Sequence, residues 1–251
     1  MARLLSRRHL LLGLAAPAVL AGCDRLGAAP SFRNIVLSSG EWLSYRVHRA
    51  IGSDALAREY DPSQMSPEFR TNGNVQPSSP EYVRHQEEGF ANWRLAVGGL
   101  VAQPQRYSLA DLRSKASRSQ ITRHDCVEGW SAIGKWTGVP LGTLLDEAKL
   151  RPEARFIVFR CADTFGSRPY YESIDLVDAF HPQTILAYGM NDRDLPVGHG
   201  APLRLRVERQ LGYKQAKYVM QVEAVASLAS IEGGRGGYWE DAGFYDWYAG
   251  I

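Results

Sequence analysis

The sequence predicts an α+β fold, rich in strands, that forms a single domain after an N-terminal leader. Three observations predict it. Several short stretches alternate apolar and polar residues with period two. The helical patterns between them are short and capped. The regular strand–helix–strand rhythm of a nucleotide-binding sheet is missing. With 251 residues, 45% hydrophobic and 10% aromatic, the chain can bury a substantial core.

Taken in order, Ser38-Ser39-Gly40-Glu41 opens a helix whose apolar face holds Leu43, Val47, Ala50 and Ile51, with Gly52 as its stop. So narrow a stripe docks on its own domain more often than on a partner. The run 61–80, rich in Pro, Ser and Asn, reads as an extended strap. Trp93 to Val101 reads as a strand, Ser108 to Asp111 as a helix cap, and Gln120 to Asp125 as a strand leading to Cys126. Pro140 to Lys149 follows as a helix, Arg155 to Arg160 as a buried strand, Ile174 to Phe180 as a short helix and Ile185 to Met190 as a strand ending in a turn at 191–194. Pro202 to Glu208 alternates strictly, which turns Leu203, Leu205 and Val207 inward and the charges outward. Tyr218 to Val225 is the last strand; the glycines at 233–237 break it, and the aromatic tail 238–248 packs back on the body.

The leader carries Arg3, Arg7 and Arg8, then the apolar stretch Leu10 to Ala21, then Leu20-Ala21-Gly22-Cys23. Spanning a bilayer takes roughly 20 apolar residues, so this stretch reads as an export signal. Ser6 to Leu11 resembles a twin-arginine signal, and Leu-Ala-Gly-Cys resembles a lipoprotein cleavage box. An ordinary secretory signal with an incidental Cys23 is the alternative. The expected organisation is 1–22 export signal, 23–65 lipidated tether and helix, and 66–251 catalytic domain. The expected location is the periplasm or the outer face of the cytoplasmic membrane, with the membrane reached through lipid at Cys23. A net charge of +2 and no basic block interleaved with aromatics argue against nucleic acid as a partner.

Of three cysteines, lipidation of Cys23 would leave Cys126 and Cys161. In an oxidising compartment they are a disulfide candidate; the competing reading is a metal thiolate plus a buried neutral thiol. Arg123 and His124 beside Cys126 are the residue types that favour a charged sulfur. The chain has no HExxH, GxSxG, phosphate loop or CxxC, which removes the usual hydrolase and kinase readings.

Four runs follow in series: His124-Asp-Cys126-Val-Glu-Gly-Trp130, Lys135-Trp-Thr-Gly-Val-Pro-Leu141, Gly198-His-Gly-Ala-Pro-Leu-Arg204 and Leu211-Gly-Tyr-Lys-Gln-Ala-Lys217. In this order they resemble the molybdopterin-binding domain of the sulfite oxidase family, and its small bacterial members most of all, over roughly Phe69 to Glu223. The resemblance implies a strand-rich mixed fold of that type and a molybdenum–molybdopterin (Mo-pyranopterin) cofactor. It makes Cys126 the metal ligand and catalytic residue, a soft thiolate suiting such a metal. It places His199 and Arg204 on the cofactor's polar atoms and phosphate, with Gln215, Ala216 and Lys217 also at the phosphate end. Asn72 matches an asparagine that reaches the pocket, or is a plain Asn-Gly turn. Cys161 falls where relatives carry a cofactor-contacting Thr, or is a buried inert thiol. Lys214 is either a further contact or a surface residue. Trp130, Tyr170, Tyr171 and Glu172 stand for the pocket mouth, with core packing as the default for the aromatics.

The implied activity is two-electron oxygen-atom transfer on a small-molecule substrate, with sulfoxide reduction preferred. An oxidase of a small anion such as sulfite comes second. Where sulfite oxidases carry an anion-gripping arginine, this chain has Ser131, which weakens the sulfite reading. No haem motif is present, so a separate redox partner is implied. The reading from another class is a non-catalytic lipoprotein that kept the fold.

Overall fold

The structure, a computed structural model, describes residues 38–251. The export signal, Cys23 and most of the tether lie outside the described residues. Internal contacts divide the chain into Met1–Ile51 and Gly52–Ile251. The first unit contributes helix α1 (Ser38–Gly52), with Glu41 in its first turn and Arg49 in its last, both favourable to the helix dipole. The stripe expected to be buried is not: Leu43, Val47 and Ile51 are all exposed. Among the described residues no helix is long and apolar enough to cross a membrane.

The second unit is built on two five-stranded sheets. One has the order β2-β1-β10-β5-β6, formed by β1 (Leu95–Gly99), β2 (Gln105–Tyr107), β5 (Phe156–Phe165), β6 (Arg168–Asp175) and β10 (Val219–Val225). The other runs β3-β4-β7-β8 with β9 beside β7, formed by β3 (Arg118–Asp125), β4 (Ser131–Pro140), β7 (Ile185–Met190), β8 (Arg193–Asp194) and β9 (Arg204–Arg206). Helices α2 (Pro80–Glu87), α3 (Leu109–Ser114), α4 (Leu141–Ala148), α5 (Leu176–Ala179) and α6 (Tyr238–Asp241) fill the connections. Most pairings are antiparallel; β1 and β10 are parallel.

The main core gathers Leu95, Val97, Ile157, Phe159 and Val222 of the first sheet with Leu203, Leu205, Val139 and helix α4. α4 buries Leu141, Leu144, Leu145 and Ala148, the helical spacing the sequence expected. α3 starts in a capping box: Ser108 and Asp111 cap each other's backbone N–H. The strap at 59–66 lies along the second sheet, with Tyr60 N–H donating to the Ile121 carbonyl at 2.9 Å and Ser66 N–H to the Ile133 carbonyl at 2.9 Å.

Within the second unit the structure departs from the sequence reading in two places. Strand β5 runs on to Phe165, and Ile174 lies inside β6, which ends at Asp175, so the helix expected from Ile174 shrinks to Leu176–Ala179. The alternation around β9 does not separate core from water: Arg204, Arg206 and Glu208 are as buried as Leu203 and Leu205. The charges are tolerated because Arg206 pairs with Glu208 at 2.6 Å and both guanidinium groups lie over the Trp136 ring, at 4.9 Å for Arg204 and 4.2 Å for Arg206. Cys126 and Cys161 are both free, which removes the disulfide reading.

Candidate active site

Cys126 sits at the tip of the β3–β4 hairpin. Asp125 and Ser131 are the last paired residues, and the loop closes with Cys126 N–H on the Trp130 carbonyl (2.9 Å) and Gly129 N–H on the Cys126 carbonyl (3.0 Å). A paired strand on each side fixes where the thiol points far better than a free loop would.

The thiol lines a cavity of about 180 Å³ shared with Asn72, Asn74, Glu128, Asp163, Gln215 and Lys217. Phe165, Tyr170, Tyr213, Trp239 and Tyr245 form its aromatic part. The structure thus brings Cys126, Asn72, Gln215 and Lys217 onto one wall system, although they lie far apart in sequence. Cys161 is not part of that lining; it packs on the core from β5, and Asp163, two residues on, takes the place at the cavity. Ala216 is buried in the core, where its carbonyl accepts the Leu205 N–H at 2.8 Å. His199 lines a separate concavity with Phe69, Met190 and Arg193.

The expected activation of Cys126 by its neighbours is not what the structure shows. Arg123 turns to Asp125 at 2.9 Å. His124 is fully buried between Phe69 and Trp130, and its Nδ1 accepts from Arg206 at 3.2 Å. Burial, then Arg206 and Arg204, hold its pKa well below the ordinary value, so the ring is neutral. Burial likewise pushes the Cys126 thiol up. A thiolate here therefore needs a metal to displace the proton.

Behind the cavity lies uncompensated positive charge. Arg204 is buried; it donates to the His199 carbonyl at 3.0 Å and the Gln215 carbonyl at 3.4 Å, while its Nε has no partner. Burial and Arg206 lower its pKa to about 9. Lys217 donates to the carbonyls of Asn72 (2.7 Å), Gly198 (3.0 Å) and Asn74, and burial with Arg204 lowers its pKa to about 7. Neither cation has a carboxylate at ion-pair distance among the described residues. Gly200, at φ 113°, separates the two stems: a Cβ there would lie 2.9 Å from Lys217 Cβ and 3.1 Å from Arg204 Cβ. Two buried cations with no carboxylate at ion-pair distance, one of them (Arg204) with donors to spare while Lys217 spends its three on carbonyls, suit a phosphate group. The residues present therefore fit a cofactor that carries one.

Lys214 is neither a surface residue nor a cavity contact: it is fully buried, 2.6 Å from Glu172 and 2.8 Å from Glu240. Tyr170 lines the cavity, whereas Tyr171 donates to Asp241 at 2.5 Å. Sequence reading missed Asp163, Tyr213, Trp239 and Tyr245. Folding of the tail across β6 brings Trp239 and Tyr245 to the cavity, while Asp163 comes from β5 and Tyr213 from the turn at Gly212–Lys214.

Comparison with known proteins agrees with this architecture. Residues 82–230 match a family model described as "Oxidoreductase molybdopterin binding domain". The "Putative protein-methionine-sulfoxide reductase subunit YedZ1" of Azospira oryzae is 39% identical over 197 residues, covering 76% of this chain and 70% of the relative. The "Protein-methionine-sulfoxide reductase catalytic subunit MsrP" of Xanthomonas axonopodis pv. citri is 32% identical over 237 residues, covering 88% and 70%. Among solved structures, the sulfane dehydrogenase SoxCD of Paracoccus pantotrophus superposes with a TM-score of 0.53 at 22% identity, covering 70% of this chain and 46% of that one, which shows a shared fold. The chain is an oxidoreductase that belongs to the molybdopterin-binding oxidoreductase family.

Proposed function

We propose that this chain reduces a sulfoxide by two-electron oxygen-atom transfer, with a molybdenum–pyranopterin cofactor ligated by Cys126. The observation that carries the reading is the Cys126 thiol opening into one cavity with Asn72, Gln215 and Lys217, in front of the buried Arg204. Among the described residues no group of three or more His, Cys, Asp or Glu could hold an ion unaided, so a metal here takes most of its ligands from its cofactor. Arg204 and Lys217 would receive the phosphate, His199 the polar atoms near it, and the Gln215–Lys217 backbone would complete the cradle. Asn72 at the cavity wall is a further candidate for contact with the group.

The bound group supplies the two-electron redox chemistry; the protein supplies binding, orientation and tuning. The overall change is sulfoxide plus two protons and two electrons to thioether plus water, with the electrons delivered by a separate redox protein. Asp163 lines the cavity, and Asn74 donates to its Oδ2 at 3.2 Å while Oδ1 has no partner. Burial raises its pKa to about 6, so it can hold and release a proton near neutral pH. Because both relatives are named as subunits of protein-methionine-sulfoxide reductases, a methionine sulfoxide is the substrate class to try first.

The sulfite reading is disfavoured at the position that would grip the anion. Ser131 donates its hydroxyl to Asp125 at 2.5 Å, so a carboxylate stands where a cation would be needed. The non-catalytic reading is disfavoured by the intact Cys126, Arg204 and Lys217. We further propose export and lipid attachment at Cys23, supported by Arg7-Arg8 and Leu-Ala-Gly-Cys; acylated peptide from membrane fractions is the check.

The test of the activity uses a reduced viologen dye and a methionine-sulfoxide peptide. The holoenzyme should oxidise the dye in proportion to the sulfoxide consumed, and Cys126→Ser should abolish turnover. Dye left unoxidised with every sulfoxide offered would overturn the reading.

A further inference from the structure

The family match ends at residue 230, yet two of the residues that line the cavity come from beyond it. These are Trp239, on α6, and Tyr245. They are built into the body: Tyr245 stacks on Tyr213 with centroids 4.6 Å apart, and Trp239 packs on Phe165 at 5.0 Å. The tail is tied down at its end by Leu211 N–H on the Ala249 carbonyl (2.9 Å), and midway by the Tyr213 hydroxyl on the Asp246 carbonyl (2.6 Å) and Trp247 Nε1–H on Ser173 Oγ (2.9 Å).

Its strongest tie is ionic. Lys214 Nζ lies 2.6 Å from Glu172 and 2.8 Å from Glu240, with all three side chains at 1% exposure or less. Each member sits within two residues of a cavity-lining group: Tyr170 before Glu172, Tyr213 and Gln215 around Lys214, and Trp239 before Glu240. Gly237 allows the close approach; a Cβ there would stand 1.8 Å from Glu172 Oε1 and 2.1 Å from Glu240 Oε2. A buried ion cluster contributes little net stability, but it fixes relative position sharply. Here it joins β6, the turn at Gly212–Lys214 and α6.

We infer that residues 231–251 supply the substrate-selecting wall of the cavity: Trp239 and Tyr245 hold the sulfur–methyl end of a methyl sulfoxide, and Glu172–Lys214–Glu240 positions that wall. Aromatic rings receive a polarizable sulfur and its methyl group well. They offer no charge to an oxyanion, and Lys217, the cation in the lining, already donates to the carbonyls of Asn72, Asn74 and Gly198. The wall therefore admits a neutral sulfoxide and turns away sulfite-like anions. The inference rests on the sulfoxide reading and assigns its specificity to a segment outside the family match.

The test takes holoenzyme carrying Trp239→Leu, Tyr245→Leu or Glu240→Gln and measures two things. The first is the Kd of methyl p-tolyl sulfoxide for the oxidised enzyme by calorimetry, without turnover. The second is KM against kcat for the same compound. Loss of one aromatic contact should weaken Kd and raise KM by about tenfold, with kcat little changed. Glu240→Gln should do the same through displacement of Trp239, and Trp239→Phe should recover most of the affinity. Molybdenum and pterin content should equal those of the unaltered enzyme. An unchanged Kd in both leucine variants would overturn the wall. So would a fall in pterin content that matches the loss of affinity, because the rings would then face the cofactor. Failure of the unaltered holoenzyme to bind the sulfoxide also overturns it, whereas binding without reduction overturns only the proposed reaction.

Discussion

Arg204, Lys217 and Asp163 place two cations and an acid in or behind one cavity, and each is shifted toward its neutral form. For Lys217 the folded value is about 7 against 10.5 in a free chain. Between those values the unfolded chain holds more protons, so the cofactor-free protein should gain stability from Lys217 as pH rises across that window. Asp163 works in the opposite sense: its folded value of about 6 exceeds the ordinary 3.8, so its contribution is present at low pH and lost as pH rises through about 6. Asp163→Asn should therefore stabilise cofactor-free protein at neutral pH, by an amount on the order of 3 kcal/mol seen as a higher melting temperature, and change it little near pH 4. A melting series against pH checks this. Arg204→Gln should fold, because a buried cation without a counter-charge is removed, yet lose bound pterin at least about tenfold, read from pterin fluorescence after denaturation. In the sequence Arg204 and Arg206 look alike, two charges on one face of an alternating strand. Only the fold shows that Glu208 pairs with Arg206 and leaves Arg204 without an ion-pair partner among the described residues.

The secondary-structure elements show why some of this was legible and some not. The helix after Pro140 and the strand that leads into Cys126 follow from the residue pattern alone. The Ser108–Asp111 box was read correctly, and Ser108→Ala should cost about 1 kcal/mol in urea unfolding. Strand β4 went unread because its composition argues against a strand: Gly134, Gly138 and Pro140 interrupt it. Those glycines answer to tertiary contacts. A Cβ at Gly138 would stand 2.2 Å from the Leu186 carbonyl, and one at Gly134 3.1 Å from the Phe69 ring. Strand β6 was hidden because Tyr170, Tyr171 and Glu172 were read as the pocket mouth, whereas Glu172 lies buried in mid-strand against Lys214. The motif residues were legible only through the family resemblance; in the fold they sit at element ends, with Cys126 at a hairpin tip and His199 and Lys217 on either side of β9. The aromatic wall was not, because nothing local links residues 239 and 245 to Cys126.

At the scale of the whole molecule, the two sheets meet in one core while the polar machinery runs along its edge. Charges are buried there in unusual number: Arg204, Arg206, Glu208, Lys214, Glu172 and Glu240. Lys214→Met would leave two carboxylates buried without their cation, at a cost of about 3–5 kcal/mol. Burial and Glu240 already hold the Glu172 carboxyl well above its ordinary range. The penalty should therefore grow as pH rises and shrink in acid, where both groups can be neutral; denaturant unfolding in acid and at neutral pH checks it. The account as a whole depends on what Cys126 holds. The most direct measurement is the molybdenum and pterin content of protein purified from its native host, beside Cys126→Ser and Arg204→Gln. Stoichiometric molybdenum and pterin in the unaltered chain are expected, with molybdenum lost in the first variant and both lost in the second. Protein that carries neither molybdenum nor pterin would contradict the account.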